Sequence, residues 1–144
     1  MDTSRGSDPN PFEETPLSPN HFGALSGVVG LLGNGITAFL LFQDPVWSAI
    51  IGLGTGVGLF LFVPPVMVGL LEERFGDLAT LDGQLFGDPH RLAAGISLAT
   101  ASVVVLAWRM TDDDLAVGLS TLFVVTVALY FVLAWLLPNV DGRW

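Results

Sequence analysis

The chain has no cysteine and no lysine among its 144 residues. The absence of cysteine excludes disulfides, thiolate metal sites, iron–sulfur clusters and cysteine nucleophiles. The absence of lysine leaves five arginines to balance 14 acidic residues. Nucleic-acid phosphates are bound by clustered lysine and arginine, so this composition argues against nucleic acid as a partner.

Charge is also missing from four long apolar stretches of the sequence. Each stretch is about 20 residues long, which is enough to cross a hydrocarbon core about 30 Å thick. Because 51% of the chain is apolar, little polar sequence is left for a separate soluble domain. The sequence therefore predicts an all-α polytopic membrane protein, with four transmembrane helices in an up-down bundle. The predicted spans cover residues 22–42, 46–71, 92–108 and 115–137.

The remaining segments complete the predicted domain organisation. Residues 1–20 contain four prolines together with acids and serines, a mixture typical of a disordered tail. We assign residues 21–138 to the transmembrane domain and 139–144 to a short C-terminal tail. Over residues 72–91, apolar side chains recur at helical spacing, and the interpretation is open between a short amphipathic surface helix and a plain loop.

The arginines predict the orientation in the cell membrane. With four spans, both termini and the long middle connection share one side and hold four arginines, whereas the other side holds only Arg109. The positive-inside rule then places both termini in the cytoplasm. We expect Trp47 and Trp108 at the outer interface and Trp135 at the inner one. Arg109 is expected to extend outward toward the acidic run at 112–114.

The overall charge carries a second message. The net charge is −9, and the sequence pI is about 4.2. Carboxylates of such a surface stay hydrated and screened in concentrated salt, where the Debye length falls to about 3 Å at 1 M. In this acidic, lysine-free composition the chain resembles small multi-pass membrane proteins of haloarchaea, a group without an assigned function. The resemblance implies a halophilic, archaeal source and no particular activity.

Small residues follow a regular spacing in the first two spans. In the first span, steps of four and three predict one helix face suited to close packing. In the second, glycines occur at alternate positions, and packing is expected through Gly52 with Gly56 or through Gly54 with Gly58. Their spacing fails the dinucleotide-binding pattern. The predicted packing seam consists of Gly23, Gly27, Gly30, Asn34, Thr37, Gly52 and Gly56.

Two adjacent prolines lie inside the second predicted span. Proline removes a backbone donor and clashes with the preceding helical turn. Pro64 and Pro65 therefore predict a kink or a helix break between Phe62 and Val66, with a small cavity beside the first span.

Function is predicted largely from the residues that the spans lack. No ionisable residue occupies the middle of any span, although such residues mark proton relays, coupled carriers and membrane enzymes. We expect no catalytic, cofactor-binding or metal-binding residue. The first hypothesis is a non-enzymatic accessory or scaffold subunit that binds itself or another membrane protein through the seam, within the lipid bilayer.

Two alternatives stay open at this point. A small uncoupled channel or facilitator would use a polar path along Asn34, Thr37, Thr55, Ser97 and Thr100. A more distant alternative is a haem or metal protein, because His21 and His90 each precede a span on the same side of the membrane.

Overall fold

A computed structural model describes residues 18–71 and 88–137, with side chains described except at 68–71 and 88. These residues form four α-helices that are all long and apolar enough to cross a membrane. The predicted all-α four-helix architecture is confirmed. The helices are α1 (Pro19–Phe42), α2 (Pro45–Leu71), α3 (Asp88–Arg109) and α4 (Leu115–Leu136).

Two of the helices begin earlier than the corresponding predicted spans. α1 begins at Pro19 rather than at residue 22, and α3 begins at Asp88 rather than at residue 92. Both helices open with polar residues and a proline, which is favoured in the first turn because that turn has no use for its missing N–H. An apolar block therefore underestimates a membrane helix by about one turn at such an end.

A two-residue connection joins α1 to α2. Gln43 adopts a left-handed conformation, with φ of 53°, and its backbone N–H donates to the Phe39 carbonyl at 2.8 Å. One carboxylate oxygen of Asp44 then accepts from the backbone N–H groups of Val46 and Trp47, at 2.8 and 3.2 Å. These bonds satisfy helix-end groups that have no partner inside a helix. α1 and α2 are thus held as an antiparallel pair.

A second capped turn joins α3 to α4. One carboxylate oxygen of Asp114 accepts from the backbone N–H groups of Ala116 and Val117, at 2.8 and 3.2 Å. A carboxylate at this position both satisfies the free N–H groups and complements the positive end of the helix dipole. Both acidic turns lie at the same end of the bundle.

Contacts run between consecutive helices, with α1 against α2, α2 against α3, and α3 against α4. α2 and α3 are the most enclosed helices. Of an 18-residue apolar stretch in each helix, 44% is buried in α2 and 39% in α3, against 17% in α1 and 6% in α4. The first and last helices therefore present most of their surface outward. A buried apolar cluster lies near the capped turns and contains Ala38, Trp47, Ile51 and Val105.

α2 runs through both prolines as one helix, so of the predicted kink or break the break does not occur. Its proline side chains are buried, and the Pro64 ring packs against α1 at Gly23. The Phe60 carbonyl, which has lost its usual donor at Pro64, also faces Gly23, where it would lie 3.0 Å from an added Cβ. The glycine of the neighbouring helix makes room for both groups. The Pro64 ring thus packs directly against α1.

Three predicted features lie outside the described residues. They are most of the N-terminal tail at 1–20, the amphipathic segment over most of 72–91, and the C-terminal tail at 139–144. The last two residues assigned to the N-terminal tail, Pro19 and Asn20, belong to α1.

Candidate functional site

Glycines bring the backbones of α1 and α2 into direct contact. A Cβ added at Gly27 would lie 2.9 Å from the Gly56 carbonyl oxygen, and one added at Gly56 would lie 2.8 Å from the Gly27 carbonyl oxygen. A Cβ at Gly52 would lie 3.0 Å from the Gly35 Cα. Real side chains do not approach backbone this closely, so this separation requires glycine on both helices. Gly23, Gly27 and Gly30 of the predicted seam face α2 of the same chain.

In the C-terminal half of α1, the residues that contact α2 differ from the predicted seam. Gly35 and Ala38 face α2, whereas Thr37 is exposed and Asn34 is only half-buried. The predicted pattern repeats every 3.5 residues, whereas a straight helix turns every 3.6 residues and drifts about 20° per heptad relative to that pattern. Over the two heptads from Gly23 to Thr37 the drift reaches about 40°. The contact face therefore passes from Gly30 to Gly35 and Ala38.

The glycines of α2 also serve a second contact face. A Cβ at Gly58 would lie 2.7 Å from the Ala99 backbone nitrogen, and one at Gly95 would lie 2.7 Å from the Gly58 carbonyl oxygen. Gly54 lies against the hydroxyl of Ser102. Residues two positions apart on a helix differ in direction by about 200°, so alternate glycines point to opposite sides. Both expected pairings occur, with Gly52 and Gly56 toward α1, and Gly54 and Gly58 toward α3.

The five residues of the predicted polar path do not form a common lining. Thr37 and Thr100 are exposed on the outer surface, while Ser97 is fully buried. Asn34, Thr37 and Ser97 each donate to the carbonyl four residues earlier in their own helix, at 3.5, 2.7 and 2.6 Å. The Thr55 hydroxyl is buried and has no hydrogen-bond partner among the residues that the structure describes. Most of these polar groups are thus satisfied locally or face outward.

Each histidine has its own local partner. The Nδ1 atom of His21 shares hydrogen bonds with the backbone N–H and the hydroxyl of Ser18, at 3.1 and 2.9 Å. The Nδ1 atom of His90 lies 3.1 Å from the Tyr130 hydroxyl and links α3 to α4. Within residues 18–71 and 88–137, no group of three or more His, Cys, Asp or Glu side chains is arranged to hold a metal ion. His21 caps a helix, and His90 joins two helices.

All four helices meet around Trp47. The guanidinium carbon of Arg109 lies 5.2 Å from the centroid of the Phe42 ring and 5.5 Å from that of Trp47, within the range of cation–π attraction. The Trp47 indole occupies the position that a side chain at Gly118 would fill. We call Phe42, Trp47, Arg109 and Gly118 the Arg109 cluster; they come from α1, α2, α3 and α4 in that order.

Two expectations at this end of the bundle require correction. Trp47 is only 2% exposed and packs inside the protein, whereas it was expected at the outer membrane interface. Arg109 turns back over Phe42 and Trp47 rather than outward to the acids at 112–114. The rings offer a cation a favourable site in a poorly hydrated environment, while the acids at 112–114 belong to the capped turn between α3 and α4. The cluster could not be predicted from residue spacing, because its members come from four different helices.

All of these features are contacts between helices. They are two glycine-lined contacts, one arginine over two aromatic rings, and one histidine–tyrosine hydrogen bond. Comparison of the chain with protein-family models, with curated proteins and with solved structures found no match.

Proposed function

We propose that the protein is a non-enzymatic accessory or scaffold subunit of a membrane complex, placed in the cell membrane with both termini in the cytoplasm. The observation that carries this proposal is the exposure of α4. α4 is the most apolar of the four spans, with a mean hydropathy of 2.3, yet only 6% of its apolar window is buried within the protein. The partner that fits such a surface is a helix of another membrane protein.

The glycine seam no longer serves as the partner surface in this proposal. Gly27 and Gly56 are occupied by each other, and Gly58 is occupied by α3. On α4, by contrast, the exposed residues Ala116, Ser120, Val124 and Ala128 lie on one ridge at steps of four residues, and all but the valine are small. Small residues at this spacing allow close approach of a second helix in lipid. We therefore place the partner contact on this outer ridge of α4.

Photo-crosslinking from α4 tests the proposal. A photoreactive amino acid at Ser120 would lie on the exposed ridge, whereas one at Leu122 would point toward the buried cluster of the same chain. We expect Ser120 to yield one discrete protein adduct in native membranes and Leu122 to yield none. Adducts to lipid alone from Ser120, with no co-purifying protein after gentle solubilisation, would contradict the accessory-subunit proposal.

Reporter fusions test the proposed orientation. The four-to-one distribution of arginine supports cytoplasmic termini. A reporter fused after Trp144 should be active only if it functions in the cytoplasm. Activity of an extracytoplasmic reporter at the same position would reverse the topology.

The alternatives receive less support from the described contacts. A channel along Asn34, Thr37, Thr55, Ser97 and Thr100 would require a shared lining, which these residues do not provide. A haem or metal site would require His21 and His90 to give up their bonds to Ser18 and Tyr130. Solute flux through liposomes that hold the pure protein, or a visible absorption band, would bring the respective alternative forward.

A further inference from the structure

We propose that Arg109 binds the phosphate group of a membrane lipid, beside Phe42 at the end of the bundle that carries the two capped turns. Arg109 is the last residue of α3 and of its apolar span, so its side chain lies at the boundary of the predicted membrane region. This inference concerns a different surface from the α4 ridge and does not depend on the proposed function.

The two aromatic rings fix the guanidinium in place. Phe42 and Trp47 lie 5.2 and 5.5 Å from its central carbon. Trp47 is itself held by the buried cluster and by Gly118, so one wall of this cradle is rigid. A guanidinium over aromatic faces keeps its N–H donors in its own plane, directed away from the rings. The cradle therefore orients a planar donor edge that needs an acceptor.

The part of the chain that the structure describes provides Arg109 with no acceptor. Its Nε atom is buried without a hydrogen-bond partner, and no carboxylate within residues 18–71 and 88–137 pairs with it. Three of the four neighbouring acids accept hydrogen bonds elsewhere. Asp44 and Asp114 cap helices, and one oxygen of Asp112 accepts from the Asp114 backbone N–H at 2.9 Å. An external acceptor is required to satisfy the donor edge.

Phosphate matches this donor edge in shape and charge. The planar fork of arginine binds phosphate oxygens through two parallel bonds, which a lysine ammonium cannot reproduce. The acids at 44 and 112–114 surround the same end of the bundle and repel free anions. A lipid phosphate, in contrast, is held at this depth by its own acyl chains, which raises its effective concentration. These conditions favour the lipid over inorganic phosphate as the source of the group.

Thermal unfolding of the wild-type protein provides the first test. The protein would be delipidated in an uncharged detergent and supplied with phosphatidylglycerol, with diacylglycerol of the same chains, or with inorganic phosphate at matched ionic strength. We expect phosphatidylglycerol alone to raise the unfolding midpoint and to be retained as one molecule in native mass spectrometry. An equal rise with diacylglycerol would overturn the proposal. An equal rise with inorganic phosphate would assign the site to free phosphate and overturn the lipid source.

Arginine variants provide the second test. Arg109→Gln removes the charge and the fork, and Arg109→Lys retains the charge without the fork. Arg91→Gln is the matched control, because Arg91 lies at the opposite end of α3. We expect phosphatidylglycerol retention to weaken about tenfold or more in both Arg109 variants and to persist in the control. Retention in Arg109→Gln equal to that of the wild type would contradict the assignment. If that variant does not fold, Arg109→Lys and the wild-type lipid comparison still decide the question.

Discussion

At the residue scale, the largest buried side chain among the described residues packs against a glycine of another helix. The indole of Trp47, on α2, lies where any side chain at Gly118, on α4, would have to be. In lipid no hydrophobic force holds helices together, so their association depends on close van der Waals contact and hydrogen bonds. The fit between this tryptophan and this glycine therefore adds a contact with α2 to the main packing of α4 against α3.

We predict that Gly118→Ala destabilises the protein. The added methyl group would overlap the Trp47 ring and force either the indole or α4 to move, at a cost of about 1–3 kcal/mol. Ser120→Ala is the matched control, because Ser120 is exposed on the same helix. Reversible unfolding in mixed micelles would measure both free energies of unfolding. Equal stability of the two variants would show that the indole does not occupy this site.

Not every residue role at this scale could be predicted from the sequence. Trp47 follows the capped turn, at the end of α2 where an interfacial residue was expected, yet its side chain is buried inside the protein. Periodicity reports which face of one helix is small or apolar. It does not report which residue of another helix fills the matching space, and Gly118 gives no pattern by itself.

At the element scale, α2 owes its position to glycines on two opposite sides. Gly52 and Gly56 approach α1, while Gly54 and Gly58 approach α3. Alternate spacing was visible in the sequence, and the helical turn of 100° per residue explains why one run of glycines serves two neighbours. The spans were predicted to within one residue at their C-terminal ends, because charged or turn-forming residues end each apolar block there.

The course of α2 at its two prolines could be predicted only in part. The sequence predicts one span over 46–71 with either a kink or a break at Pro64 and Pro65, from local chemistry alone, and the helix is continuous through both. The structure accommodates them because Gly23 of α1 leaves space for the proline ring and for the Phe60 carbonyl. The local effect of proline on its own helix was thus offset by space in the neighbouring helix α1. The spacing of residues within α2 could not predict that contribution.

A second attachment of α4 yields a prediction of small effect. His90 on α3 and Tyr130 on α4 share a hydrogen bond at 3.1 Å. Side-chain hydrogen bonds between membrane helices average only about 0.6 kcal/mol. Tyr130→Phe should therefore lower the free energy of unfolding by about that amount, clearly less than Gly118→Ala. Phe131→Leu, on the exposed side of α4, should be close to neutral in the same assay. A loss above about 2 kcal/mol in Tyr130→Phe would mean that this bond, rather than packing, holds α4.

At the scale of the whole molecule, negative charges far outnumber positive ones. A net charge of −9 outside the apolar spans produces mutual repulsion that salt screens, with a Debye length of about 30 Å at 0.01 M and about 3 Å at 1 M. We predict that the unfolding midpoint rises between these salt concentrations. Sodium chloride and choline chloride should act alike, because screening does not depend on the identity of the cation. A midpoint that is independent of salt would remove the support for the halophilic interpretation.

The whole account depends on the claim that the glycine seam closes within one chain and leaves α4 for a partner. The reciprocal contact of Gly27 with Gly56 represents this claim most directly, because each added Cβ would strike the other residue's carbonyl oxygen. Gly33 lies on the same helix with nothing within 4 Å of an added Cβ, so Gly33→Ala is the matched control.

The decisive measurement is a double-mutant cycle of Gly27→Ala and Gly56→Ala by reversible unfolding of the purified protein at several concentrations. We expect each single change to cost about 1–3 kcal/mol, and the double change to cost less than their sum, because both widen the same helix contact. The loss should not depend on protein concentration, and Gly33→Ala should be tolerated. Additive losses that vary with concentration, or a Gly27→Ala variant as stable as Gly33→Ala, would contradict the account.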